Sequence, residues 1–587
     1  MGKTALACKV LQDLERHHWP YTDQDVPVDG IVYLSTRTAG ISLERLFLDC
    51  AKLLGGEKER QLSAVWTNPQ LETQEKIARL LDALQDGRYV ILLDNLEDLL
   101  DDQGHLTDND LRLFFEQELR ASTGTQLIVT SRVALDFRHE VMRFNQQVKL
   151  LKGLPVEDGV DLLHELDPNG DYGLRDAPEE QLAEAIRLTH GVPRALEVLA
   201  GLLANDPFAT LNEVLETFCE QEDVVQALIE ENYQRLDRDA RRVIEALAVF
   251  KKPVPPLAVD YLLEPFAPGL DVPNILRRLT HTNIVSVDRA AKTVTLHPID
   301  QDYAYSQLPE EDETEADYTR QALERRAADY YVQLRTPEET WESIEDLEPQ
   351  LNEFEHRVRA GDYEGAYQVI NPIDYDYLFM WRHTTRIIEM RETLQKYLNT
   401  PKLAAGNLGK LGRAYHTQGK IGKAIQIYEQ ARSLAHIAGD TRREGIQLAQ
   451  LGWAYREIGK PSQAILFYEQ ALHIARQVND KRGECIQCGS IGLIYLYLKE
   501  FNIAICFFNE SLKVARETGY RREERAAITH LGDIYRLLGQ FKEAIKLYQS
   551  ALIIAYELRH RGGIIDVLNK MGRVYYALGK HDFAVKV

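Results

Sequence analysis

One period constrains this chain more than any other feature: columns of like residues recur every forty positions. Gly412, Gly452, Gly492, Gly532 and Gly572 form one column, and Tyr415, Tyr455, Tyr495, Tyr535 and Tyr575 a second. Ala424, Ala464, Ala504, Ala544 and Ala584 form a third, and Tyr428, Tyr468, Phe508 and Tyr548 continue an aromatic fourth. Each unit reads Leu/Ile/Met-Gly-x-x-Tyr, a Gly-Lys-like turn, then Ala-Ile-x-x-Tyr/Phe. A period of this length marks stacked units, none of which buries its apolar face alone. The chemistry of the columns is packing. Small Gly and Ala let two antiparallel helices approach closely, and the aromatics fill the space between them. Gly419, Gly459, Gly539 and Gly579 are predicted to take positive φ where a helix ends; Lys499 holds that place in the third unit.

The pattern resembles the tetratricopeptide repeat (TPR), whose units usually run about 34 residues. The longer unit here predicts longer helices. The resemblance implies an all-α solenoid with a concave face that binds a protein or peptide ligand. Repeated positions report packing, so ligand contacts are expected where the units differ.

Charge divides the chain. Residues from Pro401 onward hold 28 Lys and Arg against 17 Asp and Glu, a net of +11, which leaves −33 on the first 400 residues. The basic array predicts an acidic partner segment, this chain's own acidic half included. The acidic half would repel phosphate backbones, so nucleic-acid binding there is not expected. No stretch approaches the ~20 apolar residues that cross a bilayer, no signal peptide opens the chain, and six cysteines are too few for a disulfide framework. A cytoplasmic protein without a membrane partner is expected. Cys485-x-x-Cys488 lies in a predicted helix without a second pair or nearby His, so it reads as core rather than metal site.

The other end carries different chemistry. Gly2-Lys3-Thr4 leads into an apolar helix, the close of a G-x-x-x-x-G-K-[ST] phosphate loop. There the Lys reaches phosphate oxygens, the Thr hydroxyl binds Mg²⁺, and the helix N-terminus favours the anion. Ile31–Ser35, Tyr89–Asp94 and Gln126–Arg132 read as strands, each with a polar tail where parallel sheets bind ligands. Asp94 closes the most apolar of them, the arrangement that sets a carboxylate beside Mg²⁺.

The order GKTALA, YVILLDNLEDLL, LIVTSR, KGLP from Lys152, HGVPRAL from His190 and HPIDQDYA from His297 resembles the NB-ARC class of signal-transducing (STAND) P-loop ATPases. That resemblance implies ADP or ATP with Mg²⁺ as cofactors. Gly2, Lys3 and Thr4 would hold phosphate, and Thr4 and Asp94 the metal, Asp94 through water. Arg132 would sense the γ-phosphate, Pro193 would pack near adenine, and His297 would sense the ADP β-phosphate in a closed state. Family members often carry a second acid where this chain has Asn95. Hydrolysis is therefore expected to be slow, with Glu97 or Asp98 the substitute base.

The expected architecture is an α/β nucleotide-binding domain over 1–150 with its first strand missing, a helical domain over 151–234 and a winged helix over 235–308. A helical connector follows over 309–401, then the TPR array over 402–587. The missing strand should lie centrally, which predicts neighbouring strands without backbone partners. The truncated phosphate loop and the array ending inside its fifth unit read as a piece of a longer protein. The expected function is an ADP/ATP switch that opens, and oligomerises, when a ligand engages the array. Two alternatives stand beside it: an interaction scaffold with a vestigial nucleotide fold, and a winged-helix transcription regulator using Arg277 and Arg278.

Overall fold

A computed structural model describes residues 2–16, 28–36, 40–67, 71–101, 103–121, 124–135, 153–206, 208–218, 221, 223–311, 317–381 and 383–580, with the backbone alone at 2–6 and 67. The chain forms two compact units, 1–383 and 384–587.

The first unit opens with helix α1 (Gly2–Glu15), β1 (Gly30–Ser35), α2 (Leu43–Leu54), α3 (Gly56–Thr67), α4 (Thr73–Ala83), β2 (Tyr89–Asp94), α5 (Asn109–Glu118) and β3 (Gln126–Val129). The strands form a parallel sheet in the order β1-β2-β3, with Ser35 level with Asp94 and Leu93 with Val129. Side chains alternate faces along a strand. Val32, Leu34, Ile91 and Leu93 pack with Phe47, Leu80, Phe114 and Phe115 of α2, α4 and α5 in one apolar cluster. Tyr33, Ser35 and Asp94 belong to the other face. Ser42 and Asp108 cap α2 and α5 through their side chains, satisfying N–H groups that a helix start leaves open. The expectation of unpaired strands beside a central gap is corrected here. β2 is hydrogen-bonded on both sides, because β3 lies directly against it and takes up its backbone groups.

Among the described residues five helices follow: α6 (Val156–Leu166), α7 (Glu179–Leu188), α8 (Pro193–Asn205), α9 (Leu211–Phe218) and α10 (Val224–Gln234). α8 is buried on almost every side from Arg194 to Leu203 and forms the centre of this bundle. Then come α11 (Arg238–Phe250), α12 (Pro256–Leu263), α13 (Val272–His281), an antiparallel hairpin of β4 (Val285–Asp288) and β5 (Thr293–Leu296), and α14 (Pro298–Ser306). α15 (Arg320–Gln333), α16 (Glu348–Arg359) and α17 (Tyr363–Ile373) complete the unit, α17 continuing into a π-helical turn at Asp374–Phe379.

The second unit begins with α18 (Thr384–Gln395). α18 is joined to α19 (Pro401–Thr417) by Asn407, whose amide donates to the Arg391 carbonyl at 2.8 Å. α19 pairs with α20 (Ile421–Ile437), α21 (Thr441–Glu457) with α22 (Pro461–Gln477), and α23 (Lys481–Tyr497) with α24 (Phe501–Thr518). α25 (Arg521–Leu537) pairs with α26 (Phe541–Glu557), and α27 (Arg561–Ala577) opens the next pair. Helices of 17 residues, α24 with 18, account for the long period. A Cβ at Gly412, Gly452, Gly492 or Gly532 would stand 2.7, 2.9, 3.0 or 2.7 Å from the ring at Tyr428, Tyr468, Phe508 or Tyr548, so the glycine column exists to admit the aromatic one. Lys499 takes φ 63° where Gly419, Gly459, Gly539 and Gly579 take 71–78°.

Candidate functional site

The polar end of the sheet gathers one cluster. Asp94 is 1% exposed. Its Oδ1 accepts from the Thr130 hydroxyl, and its Oδ2 from Asn95 Nδ2 at 2.9 Å and the Tyr33 hydroxyl at 3.4 Å. The Asn95 backbone N–H donates to Thr130 Oγ1 at 3.0 Å, so the TSR tail of β3 is tied to the end of β2. Asn95 itself is left-handed, φ 58°, which turns the chain into a short 3₁₀ segment, Leu96–Leu99; Asn tolerates that conformation better than most residues. The turn delivers Glu97 to Arg132: the Arg132 backbone N–H donates to Glu97 Oε2 at 3.2 Å, and Nε lies 3.3 Å from Oε1. Asp98 accepts from the Thr36 hydroxyl at 2.6 Å. Burial and then the charge of Asp94 push up both the Tyr33 hydroxyl and the Cys8 thiol. The side chains of Lys3 and Thr4 lie outside the described residues; the backbone of Gly2, Lys3 and Thr4 is helical.

A second cluster joins the remaining motif residues. Gly153 N–H donates to the His190 carbonyl at 3.1 Å and Leu154 N–H to the Gly191 carbonyl at 2.6 Å. A Cβ on Gly153 would fall 2.1 Å from Gly191 backbone, so Gly153-Leu154 and His190-Gly191 dock main chain to main chain. Gly191 takes φ 65° and hands the chain to Pro193, the first residue of α8, where a missing N–H costs nothing. Next to it, Arg194 is 3% exposed. Its Nη1 donates to the Asn283 carbonyl and to Glu197 Oε2, both at 2.7 Å, and its Nη2 stands 2.5 Å from Asp300 Oδ2 as an ion-pair contact. Asp300 lies on α14, whose N-cap is His297, the ring Nδ1 accepting from Ile299 N–H at 3.4 Å. Burial raises the Asp300 carboxyl above the usual range although Arg194 draws it back. Pro193 and His297 are thus linked through their neighbours Arg194 and Asp300. Asp94, Glu97 and Arg132 form the other group.

The sequence reading singled out neither Arg194 nor Asp300. They sit inside HGVPRAL and HPIDQDYA, and the signal was an arginine at the start of a largely apolar helix. It also missed a forty-residue charge column: His436–Glu444, Arg476–Glu484 and Arg516–Glu524 at 3.2, 2.9 and 3.0 Å tie α20 to α21, α22 to α23 and α24 to α25. On α13, Arg278 pairs with Asp237 and Arg277 is exposed. Cys485 and Cys488 are buried in α23, and burial pushes their thiols up to about 11 and about 12. No helix among the described residues is long and apolar enough to cross a membrane.

A model of the tetratricopeptide repeat matches residues 403–477 and 523–587. The C-terminal helix pairs are therefore a TPR array. An uncharacterized WD repeat-containing protein of Nostoc sp. is 24% identical over 322 residues, covering 53% of this chain; the chain spans 24% of that relative's length. Among solved structures, a Signal Transduction ATPase with Numerous Domains (STAND) protein with a tetratricopeptide repeat sensor from Pyrococcus horikoshii is similar at 16% identity, covering 100% of this chain and 84% of that one, TM-score 0.43. A Rap protein complexed with Competence and Sporulation Factor is similar at 14% identity, covering 45% of this chain and 89% of that one, TM-score 0.31.

Proposed function

We propose that the chain is an ADP/ATP-dependent signalling switch of the STAND NB-ARC type, whose TPR array receives a protein or peptide ligand. The observation that carries this reading is the Asp94 carboxylate. It closes the middle strand of the described parallel sheet, where Ser35 at the end of β1 and Thr130 after β3 converge on it. Phosphate sites of this kind set a helix N-terminus and a strand-end acid on one metal-bound phosphate. The donor set around Asp94 fits that use: Thr130, Ser35 and Asn95 are polar groups at the end of the strands, where such sheets bind ligands.

In this reading Lys3 would hold phosphate, and Thr4 and Asp94 would hold Mg²⁺. Mg²⁺ supplies charge neutralisation on the phosphates. Arg132 exchanges its Glu97 partner for the γ-phosphate. While it holds Arg132, Glu97 is a poor base, so turnover is slow. Pro193 and His297 belong to the closed state, with the Arg194–Asp300 pair binding α8 to α14. Ligand on the array shifts the balance toward the ATP-bound form, which opens and self-associates. Isothermal titration of the full chain with ADP and Mg²⁺ tests the reading: binding that Lys3→Ala weakens about tenfold or more supports it, and no heat from either protein rejects it.

A second reading, a TPR scaffold with a vestigial nucleotide fold, is favoured by one observation: both Asp94 oxygens already accept hydrogen bonds within the chain. It predicts a silent titration with ligand binding intact. Salt-dependent DNA retention would revive the winged-helix regulator; the Arg278–Asp237 pair argues against it.

A further inference from the structure

The loop between α6 and α7 holds a set of oxygen-bearing side chains that neither the nucleotide site nor the array uses. It reads DPNGDYGLRD from Asp167. The side-chain oxygens of Asp167, Asn169, Asp171 and Asp176 fall at the first, third, fifth and tenth places, between a helix that ends at Leu166 and one that starts at Glu179. Helix–loop–helix calcium sites carry theirs at the first, third and fifth places and close with a glutamate at the twelfth. This loop differs from that pattern at its far end. Its second glycine, Gly173, is seventh where the pattern has one sixth, Pro178 is twelfth, and Glu179 and Glu180 follow in the first turn of α7.

The fold coils this stretch around Asp167, which is 1% exposed. Its Oδ2 accepts from the Tyr172 and Leu174 N–H groups at 3.2 and 2.9 Å, so the carboxylate lies on the inner side of the loop. Its Oδ1 is buried and has no hydrogen-bond partner. A buried carboxylate oxygen without a donor is costly, and a cation is the partner that relieves it. The neighbouring oxygens stand close by. Asn169 Nδ2 donates to Asp171 Oδ2 at 3.4 Å, which sets the third and fifth places side by side. Asp176 Oδ2 comes within 3.5 Å of where a Cβ on Gly170 would stand, so the tenth place reaches back to the fourth. Arg175 uses its Nη1 on the Pro168 carbonyl rather than on a carboxylate. Leu174 is fully buried in the apolar cluster with Leu163 of α6 and Ile186 of α7, which fixes the loop to both helices.

The donor set chooses the ion. Every group in it is an oxygen, which selects a hard cation over zinc or copper. Among the described residues no three acidic, His or Cys side chains stand together as a metal centre. The set therefore draws on the Asn169 amide and on loop carbonyls beside its carboxylates, and the exposed Asn169, Asp171 and Asp176 close in on the ion. Mixed oxygen ligands of adjustable spacing suit Ca²⁺, which takes about 6–8 of them in flexible geometry, whereas Mg²⁺ demands a near-ideal octahedron and gives up its water reluctantly.

We infer that the α6–α7 loop binds one Ca²⁺ through Asp167, Asn169, Asp171 and Asp176, independently of the nucleotide site. The test is calorimetric titration of the full chain with Ca²⁺, in excess Mg²⁺ and without nucleotide. One Ca²⁺ binds per chain with a dissociation constant on the order of 0.1 mM or below. Asp171→Asn alters an exposed side chain and spares the fold, and it weakens binding about tenfold or more, because affinity in such loops follows ligand charge. Asp158→Asn removes the same charge from the exposed face of α6, outside the loop, and leaves binding unchanged. Tb³⁺ bound in place of Ca²⁺ is excited through the Tyr172 ring; Tyr172→Phe keeps the Ca²⁺ heat and loses most of that emission. No Ca²⁺ heat, full competition by Mg²⁺, unchanged affinity in Asp171→Asn, equal weakening in Asp158→Asn, or Tb³⁺ emission that survives in Tyr172→Phe overturns the proposal. ADP titration of the same preparations reads the nucleotide site separately, so either can fail alone.

Discussion

Gly532→Ala tests the packing logic of the array most sharply. The new Cβ would stand 2.7 Å from Tyr548 Cε1 and 2.9 Å from Cδ1. Carbon atoms prefer about 3.5–4.0 Å, so the ring must retreat by about 1 Å. It has little room to do so. Tyr548 is fully buried and its hydroxyl is held by Asp533 at 2.8 Å, which Lys570 holds in turn. Overpacking of this kind costs about 1–3 kcal/mol, and alanine recovers up to about 1 kcal/mol over glycine within a helix. The net loss is about 1–2 kcal/mol, read as a lowered urea midpoint by far-UV circular dichroism. Gly422→Ala is the control. It lies in α20 with nothing within 4 Å of where its Cβ would stand, so it should leave the midpoint unchanged or raise it. If Gly532→Ala were as stable as the parent, the glycine column would not be a packing requirement and the reasoning would fail.

Lys499→Gly should stabilise the array by about 0.5–1 kcal/mol, because a left-handed non-glycine residue carries a steric penalty that glycine lacks; a lowered melting temperature would contradict this. Arg194→Met should cost about 3–5 kcal/mol by leaving Asp300 buried and uncompensated, and Arg194→Met/Asp300→Asn should recover much of the loss in a double-mutant cycle. Burial alone would raise the Asp533 carboxyl, but contacts from His530, Lys570 and Tyr548 outweigh it and hold the group down to about 2. A folded value below the unfolded one means this contribution, about 2 kcal/mol, is fully present above pH ~4 and lost as pH falls toward ~2; Asp533→Asn should flatten acid unfolding over that window.

The array was legible because forty-residue columns amplify a weak local signal: one Gly-x-x-Tyr means little, and five in register fix helix pairs with aromatics between them, while the ring behind Gly412, Gly452, Gly492 and Gly532 emerges only from the structure. The charge column His436–Glu444, Arg476–Glu484 and Arg516–Glu524 escaped because its residue types change from unit to unit while the geometry does not. In the first unit the strands and Asp94 could be read from apolar runs that end in polar residues. Their pairing could not, since hydropathy does not say which strand lies beside which; β3 against β2 emerges only from the sheet. Arg194 and Asp300 were hidden for a related reason. A buried arginine is defined by its partners, and those come from Glu197, Asn283 and Asp300, far apart in the chain. Arg132 and Glu97 were each picked out, but their mutual contact depends on the left-handed turn at Asn95.

The central claim is that a metal-bound nucleotide phosphate meets the Asp94 carboxylate. Its most direct test is calorimetric titration of ADP into the full chain with and without Mg²⁺, for the parent and for Asp94→Asn, which keeps the shape and removes the charge. The account predicts that Mg²⁺ tightens ADP binding in the parent and has much less effect in Asp94→Asn. An equal Mg²⁺ effect in the two proteins, or no ADP binding by the parent, would contradict it.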